Sequence, residues 1–511
     1  MLGLTSKKKA PTLETLETVE VRVGRLPSAP LAVLQDLAAL MDLLFSGSRI
    51  AAGQAYPIAD LLDRTGRSHL RKIAQDYVLG HKQLTRFQND RVWDAVTIYL
   101  TQLAKVYRYC LAQYEVGARG ARSFGRMLPT IAARTMRACA ARMKWHDLRY
   151  VPVEVEQWQE LAAIYLLAES GGFAREKLSL YRNAAHDSSV EQEFLRALVL
   201  AIASPGSMLP EQIEVAERLV AHCAPHFLVG TRPTDSMRYF IDLHADASPH
   251  RIPLSGRIPV SARAFGAGNA IGELHRILER LDAGRLTRTE LGLSQEFDFE
   301  LIRAAARHLL RYWDPPLPDR RSARQPESAH IDVVYDFDEV TAKVGAVALQ
   351  SPFVAEQESW TIENRSPHGL RARVPSPQGL WITVGSLVAY REHDDSVWSV
   401  GVVRRLKRKR DETREVAVET LARGGSAVTV LPRIVGKAKY KDADQGVLSV
   451  LLPSSASSRE EVRLLSPLGT FSDTMPLEMR AYDRAYVLFP IELVETGADF
   501  QIARFKILAN A

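Results

Sequence analysis

The run Asp314-Pro315-Pro316-Leu317-Pro318 divides this 511-residue chain into two parts of different texture. Each proline biases the residue before it away from helical angles, so no helix crosses this point. Upstream, from Pro30 to about Trp313, apolar residues recur at helical spacing. Leu31, Leu34, Leu37, Leu40 and Leu43 form one stripe; Val92, Val96, Tyr99, Leu103, Val106, Tyr107 and Cys110 form another; Leu128, Ile131, Thr135, Cys139 and Met143 form a third. Further helices are expected at 158–168, 174–182, 190–203, 210–222, 272–282 and 299–313. A short strand is expected at 239–243. Downstream, short β-type runs such as Ile331–Tyr335, Leu370–Val374, Trp398–Leu406 and Phe500–Ile507 alternate with turns. Helices first and strands last predict an α+β multidomain chain rather than a doubly wound sheet. Its N-terminal region would be an all-α helical bundle or irregular helical repeat, and its C-terminal region an all-β barrel with a β extension. The expected divisions are a flexible lead-in over 1–29, a helical domain over 30–230, an irregular segment with helices over 231–317, a barrel over 318–432 and a β-rich extension over 433–511.

Composition narrows the class. Apolar residues make up 46% and charged residues 25% of the chain, the balance of a globular protein. The basic start around Lys7–Lys9 leads into polar and acidic residues rather than an apolar stretch, so no secretory leader is expected. The longest apolar run, 31–45, contains Gln35, Asp36 and Asp42 and is too short to span a bilayer. Cys110, Cys139 and Cys223 are widely spaced, which fits space-filling thiols in a reducing cytoplasm. Nothing resembles a P-loop, a nucleophile elbow or a dinucleotide fingerprint, and no enzyme is expected. Neither His244, Asp246 and His250 nor His222, Cys223 and His226 has a recognised metal-ligand spacing, so no metal site is expected.

Two segments carry the chemistry. Asp319-Arg320-Arg321-Ser322-Ala323-Arg324 is an arginine cluster entering the β region, and Asn364-Arg365-Ser366-Pro367-His368-Gly369 lies between two expected strands. Arginine presents a planar fork that donates two hydrogen bonds to phosphate or to a guanine edge, and a flat face that stacks on a base. Asn364 and Ser366 offer side-chain hydrogen bonds, and Gly369 is expected to allow a tight turn and to keep a Cβ away from the ligand. Arg371 and Arg373 alternate and should share a face, either reinforcing the pocket or lying on the surface. The plainer readings are a solvated linker for the arginines and an Asx-type turn for Asn364 and Ser366.

This pairing resembles the PilZ family of bacterial cyclic di-GMP receptors, whose members carry RRxxxR before a barrel and (D/N)xSxxG on it. Asn364, Ser366 and Gly369 match the second motif in full. Arg320, Arg321 and Arg324 give RRxxR, one residue shorter than the first. The resemblance continues through Val384–Val388, Trp398–Arg405 and Val416–Leu421, and covers roughly 318–432. It implies a PilZ-like β-barrel and a ligand, cyclic di-GMP, held by Arg320, Arg321, Arg324, Asn364, Ser366 and Gly369, with Arg371 and Arg373 as additional contacts. It further implies signalling through a protein partner on the helical region. The competing readings are a scaffold whose barrel has lost its ligand and a nucleic-acid-binding protein. The last rests on 117–149, where Arg119, Arg122, Arg126, Arg134, Arg137, Arg142, Lys144 and Arg149 face a single acid, Asp147. That stretch is expected to be a solvated face or a surface for an acidic partner. Lys407–Arg410 reads as a solvated hairpin tip.

Overall fold

The computed structural model describes residues 14–508 except 47–49, 81–83, 183–186, 246–247, 318–324, 346–356, 377, 380, 410, 434–445, 454–459, 482–483 and 498. It consists of two compact units, Met1–Pro318 and Asp319–Ala511.

The first unit is built on α1 (Leu16–Val23), α2 (Pro30–Phe45), α3 (Ala52–Gly80), α4 (Arg86–Glu115), α5 (Leu128–Asp147), α6 (Val155–Ser170), α7 (Val190–Ile202), α8 (Pro210–Cys223), α9 (Ala270–Asp282) and α10 (Phe299–Trp313). Local chemistry sets several of the starts. Pro30 and Pro210 stand in first turns, where their missing N–H is not needed. Thr85 and Gln88 close a reciprocal capping box, and the Asp298 carboxylate accepts from the Leu301 N–H at 2.6 Å. The stripes read from the sequence join one contiguous core, with Leu43 left exposed.

Three features depart from the sequence reading. Part of the expected lead-in is α1, whose Val19 is fully buried. The expected helix at 174–182 is absent; the segment is non-helical and pairs Leu178 with Ser188. Beyond the expected strand at 239–243 there is a four-stranded sheet: β1 (Leu228–Gly230), β2 (Tyr239–Asp242), β3 (His250–Arg251) and β4 (Ala262–Gly266), in the order β1-β4-β2-β3. Its Tyr239, Ile241 and Phe265 join the helical core.

The basic stretch is for the most part not a solvated face. Helix α5 packs against α4, α6, α7 and α8, and its cations turn inward onto their carboxylates. Arg134 is 6% exposed. Its Nη1 donates to Asp60 of α3 at 2.6 Å, and its Nε and Nη2 donate to the Leu180 carbonyl at 2.9 and 2.6 Å. That explains the loss of helix at 174–182: a non-helical backbone there leaves the Leu180 carbonyl free for the guanidinium. Arg137 reaches Glu193 of α7 at 2.6 Å, Arg142 reaches Glu160 of α6 at 2.6 Å, and Lys144 reaches Glu214 of α8 at 2.6 Å. Arg149 reaches Asp90 of α4. Arg119, Arg122 and Arg126 remain exposed.

The second unit is two closed barrels. The first comprises β5 (Gln325–Pro326), β6 (His330–Tyr335), β7 (Glu358–Ser366), β8 (Gly369–Val374), β9 (Leu387–Glu392), β10 (Ser399–Arg408) and β11 (Arg414–Arg423). The order is β5-β7-β6-β9-β10-β11-β8, and the β7–β8 pairing closes the ring. Helix α11 (Phe337–Gly345) follows β6 and interrupts a region expected to be almost entirely β. The second barrel is β12 (Ser426–Pro432), β13 (Val447–Leu452), β14 (Glu461–Pro467), β17 (Phe500–Leu508), β16 (Arg484–Thr496) and β15 (Leu477–Ala481), in that order around the ring. The sequence groups 426–432 with the first barrel and treats 433–511 as an extension. Hydrogen bonding places β12 in the second barrel, between β13 and β15.

The two barrels share a core. Phe337, Val340 and Val344 of α11 pack with Val400 and Val402 of the first barrel and with Val450, Leu465, Phe500 and Ile502 of the second. At the junction a Cβ on Gly425 would stand 2.6 Å from Val450 Cγ1 and 2.9 Å from Val344 Cγ1, so only glycine fits.

One prediction concerns the buried acid on α7. Burial alone would raise the Glu193 carboxyl, but the Arg137 and Arg196 charges and hydrogen bonds from Arg137 and Ser188 outweigh it and hold its pKa at about 2. A carboxylate depressed in the folded state stabilises above its unfolded pKa, and that stability is lost as pH falls. Helical circular dichroism should therefore show stability declining between about pH 4.5 and pH 2. Glu193→Gln should lower stability at pH 7 by about 3–5 kcal/mol through uncompensated buried charge, and flatten that acid limb.

Candidate functional site

The candidate site is the β7–β8 hairpin of the first barrel. Its two-residue turn, Pro367-His368, is tied down by the Thr420 N–H of β11, which donates to the His368 carbonyl at 3.0 Å. On β8, Leu370, Ala372 and Val374 point into the barrel, and Gly369, Arg371 and Arg373 lie on the other face. The expectation that the two arginines share a side is therefore met.

Strand β7 begins with the matching alternation, Trp360 and Ile362 inward. Continued regularly, it would turn Asn364 and Ser366 inward as well. A bulge prevents this. The register passes from Ile362 opposite Ala372 to Asn364 opposite Arg371, so Glu363 is an extra residue on β7. Directly opposed residues of an antiparallel pair share a face. Asn364 thus stands beside Arg371, and Ser366 beside Gly369, on the outer face.

The side chains differ in their satisfaction. Ser366 Oγ donates to the Gly369 carbonyl at 3.1 Å, closing the hairpin. Asn364 Oδ1 is buried and has no hydrogen-bond partner among the described residues, so the Asx-turn reading fails for it. A buried acceptor left without a donor costs about 1–3 kcal/mol. Strand β5 runs along the other edge of β7, with Gln325 opposite Arg365 and Pro326 opposite Asn364. Arg320, Arg321 and Arg324 lie outside the described residues, but Arg324 is bonded directly to Gln325.

Glycine at 369 has a reason in the packing of the barrel itself. A Cβ there would sit 2.2 Å from the Val418 carbonyl oxygen of β11. The position is small so that β8 can lie against β11.

Around these residues lies a charge ladder that sequence reasoning missed. Arg371 pairs with Glu415 at 3.1 Å and Arg373 with Glu363 at 2.9 Å. Lys409 bridges both acids at 3.5 Å, so the expected solvated tip at 407–410 is partly engaged. Burial raises the Glu363 carboxyl, but the Arg373 and Lys409 cations outweigh it and hold it below the ordinary value. Arg365, on the Leu370 side of the ladder, is held by Glu327 at 3.0 Å and Glu392 at 2.6 Å. The acids are plain in the sequence, but the strand pairing that gathers them is not. No groups of metal-ligating residues occur among the described residues.

Comparison with known proteins adds one finding from the other unit. Residues 22–233 match the family model described as the N-terminal domain of the cyclic-di-GMP receptor FimW. The match lies within the helical region and does not reach the barrels. No curated protein matches the chain. Among the described residues, no helix is long and apolar enough to cross a membrane.

The close approach at Gly369 gives a direct test. Gly369→Ala should destabilise the C-terminal unit by about 1–3 kcal/mol through overpacking against β11. Urea unfolding of the full chain, followed by tryptophan fluorescence, measures it. A ligand-only role for Gly369 would leave that transition unmoved.

Proposed function

We propose that this chain is a non-enzymatic, cytoplasmic cyclic di-GMP receptor whose first barrel is PilZ-like and binds the messenger on the outer face of the β7–β8 hairpin. The observation that carries the reading is the bulged register, which sets Asn364, Ser366 and Arg371 on one face next to β5, the strand into which the arginine cluster runs. The description of the family matched at 22–233 agrees with the same ligand class.

The division of labour follows from chemistry. Arg320, Arg321 and Arg324 meet the two phosphates and the guanine O6 and N7 acceptors. Asn364 Oδ1, an acceptor without a donor among the described residues, suits the guanine N2 amino group. Arg371 joins by exchanging Glu415 for phosphate, and Arg373 stands beyond it on the same face. Engagement of Arg320, Arg321 and Arg324 is the step that the ligand drives, and the ligand shifts the conformational equilibrium only by its differential affinity for the two states. A partner on the helical region then reads the change.

A second reading has its own observation. Glu415 and Glu363 already neutralise Arg371 and Arg373, as in a barrel kept for protein contact without ligand. The nucleic-acid reading has lost most of its basis, because five of the eight cations in 117–149 are paired internally.

Calorimetric titration of the intact protein separates the two. Cyclic di-GMP should bind, and GMP, with one phosphate and one base, should bind far more weakly. Since a charge-assisted hydrogen bond contributes roughly 1.5–3 kcal/mol, Arg321→Ala should weaken binding by about tenfold or more. The melting temperature of the free variant should stay near that of the parent. Absence of heat and of any melting shift with excess cyclic di-GMP would establish the ligand-free scaffold instead.

A further inference from the structure

Helices α2 and α4 of the N-terminal unit leave an open groove of about 510 Å³ between them. Its α2 wall is Gln35, Ala38, Ala39 and Asp42, the i, i+3, i+4, i+7 stripe of one helix face. Small side chains form the floor: Ala38 and Ala95 are buried and Ala39 lies open above them. The α4 wall carries Phe87, 76% exposed, and Ile98, 54% exposed. These two lie eleven residues apart, roughly 16 Å along the helix axis, or three turns. Two large apolar side chains left in water along one wall of an alanine-floored groove mark a seat rather than scattered surface residues.

The charges on the two walls define what the seat accepts. Asp42 on α2 and Asp94 on α4 line the groove, and neither has an ion-pair partner among the described residues. Asp90 is neutralised by Arg149 and Arg86, and Arg91 contributes one opposing charge one turn from Phe87. A second copy of this chain docked face to face would set these carboxylates against each other, and an anionic membrane would be repelled.

We propose that this groove seats an amphipathic helix of a partner protein, its apolar residues at i, i+4, i+7 and i+11 and lysines or arginines flanking them. The apolar stripe covers Phe87, Ala95 and Ile98. The flanking cations meet Asp42 and Asp94, and the alanine floor lets the two backbones approach. This is helix-in-groove recognition with specificity set by charge. It is independent of the ligand reading, because no barrel residue takes part.

The probe is a fluorescent synthetic helix of about 18 residues, long enough to cover the three turns between Phe87 and Ile98. It carries leucines at that spacing and flanking lysines, and is titrated against the full-length protein by anisotropy. Two controls accompany it, one with the periodicity scrambled and one with every lysine replaced by glutamate. The basic periodic peptide should bind, and Ile98→Glu should weaken it by about tenfold or more. Asp42→Lys with Asp94→Lys should weaken the basic peptide and admit the acidic one. All three positions are solvent-exposed, and circular dichroism confirms that the variants keep their helices. Failure of the basic peptide to bind, equal binding of the scrambled peptide, or indifference to charge reversal would overturn the proposal. So would a concentration-dependent dimer abolished by Ile98→Glu, which would make the groove a contact between copies of this chain.

Discussion

The helical unit depends on the cations of α5 and of the turn after it being satisfied inside the protein. Arg134, Arg137, Arg142, Lys144 and Arg149 each meet a carboxylate from a different neighbour, so one stretch of chain is fastened to α3, α7, α6, α8 and α4. Ion pairs of this kind add little net stability compared with apolar packing, because desolvation offsets the attraction. Their effect is on which arrangement forms. A helix displaced by one turn would leave several buried charges without partners, each costing several kcal/mol. Tyr107 and Tyr181 complete the arrangement by donating to the buried Asp63 at 2.6 and 3.1 Å, and Arg67 stacks on Tyr181 with 3.8 Å to the ring centre. Burial nonetheless leaves the Asp63 carboxyl above its ordinary range.

The barrel unit follows a different constraint, close approach of backbones. At Gly369 the β8 chain lies against β11, and at Gly425 the second barrel closes on α11. Between them, the bulge at Glu363 decides which face the hairpin's polar residues occupy. The candidate ligand face is thus a by-product of barrel closure: the strand that must bend to close the ring is the strand whose side chains turn outward.

The two units also divide the functional argument. The helical unit carries the family likeness and an open acidic groove, and the barrel unit carries the motif and the arginine-bearing entry. In the proposed reading, nucleotide recognition falls to the barrel face, where Asn364, Ser366 and Arg371 share a side. In the proposed reading, protein recognition falls to the groove, where exposed apolar side chains sit beside carboxylates.

Much of this was legible in the sequence. The stripes that became α2, α4 and α5, the break at Asp314–Pro318, the strands flanking Asn364–Gly369 and the shared face of Arg371 and Arg373 all follow from local periodicity and proline sterics, which need no knowledge of neighbours. Other features could not be read because they are properties of contacts. The stretch 117–149 looks like a charged surface until the carboxylates of five other segments are brought around it. The segment 174–182 has helical composition, yet it is held open where Arg134 takes the Leu180 carbonyl. Ser426–Pro432 looks like the last strand of one barrel and is hydrogen-bonded into the next. Asn364 and Ser366 would alternate inward with Ile362, and only the pairing with β8 shows the extra residue that turns them out. The sequence by itself determined where helices and strands form, since those depend on neighbours along the chain. The tertiary structure decided which charges are buried, which barrel a strand joins and which face the site occupies, since those depend on partners distant in sequence.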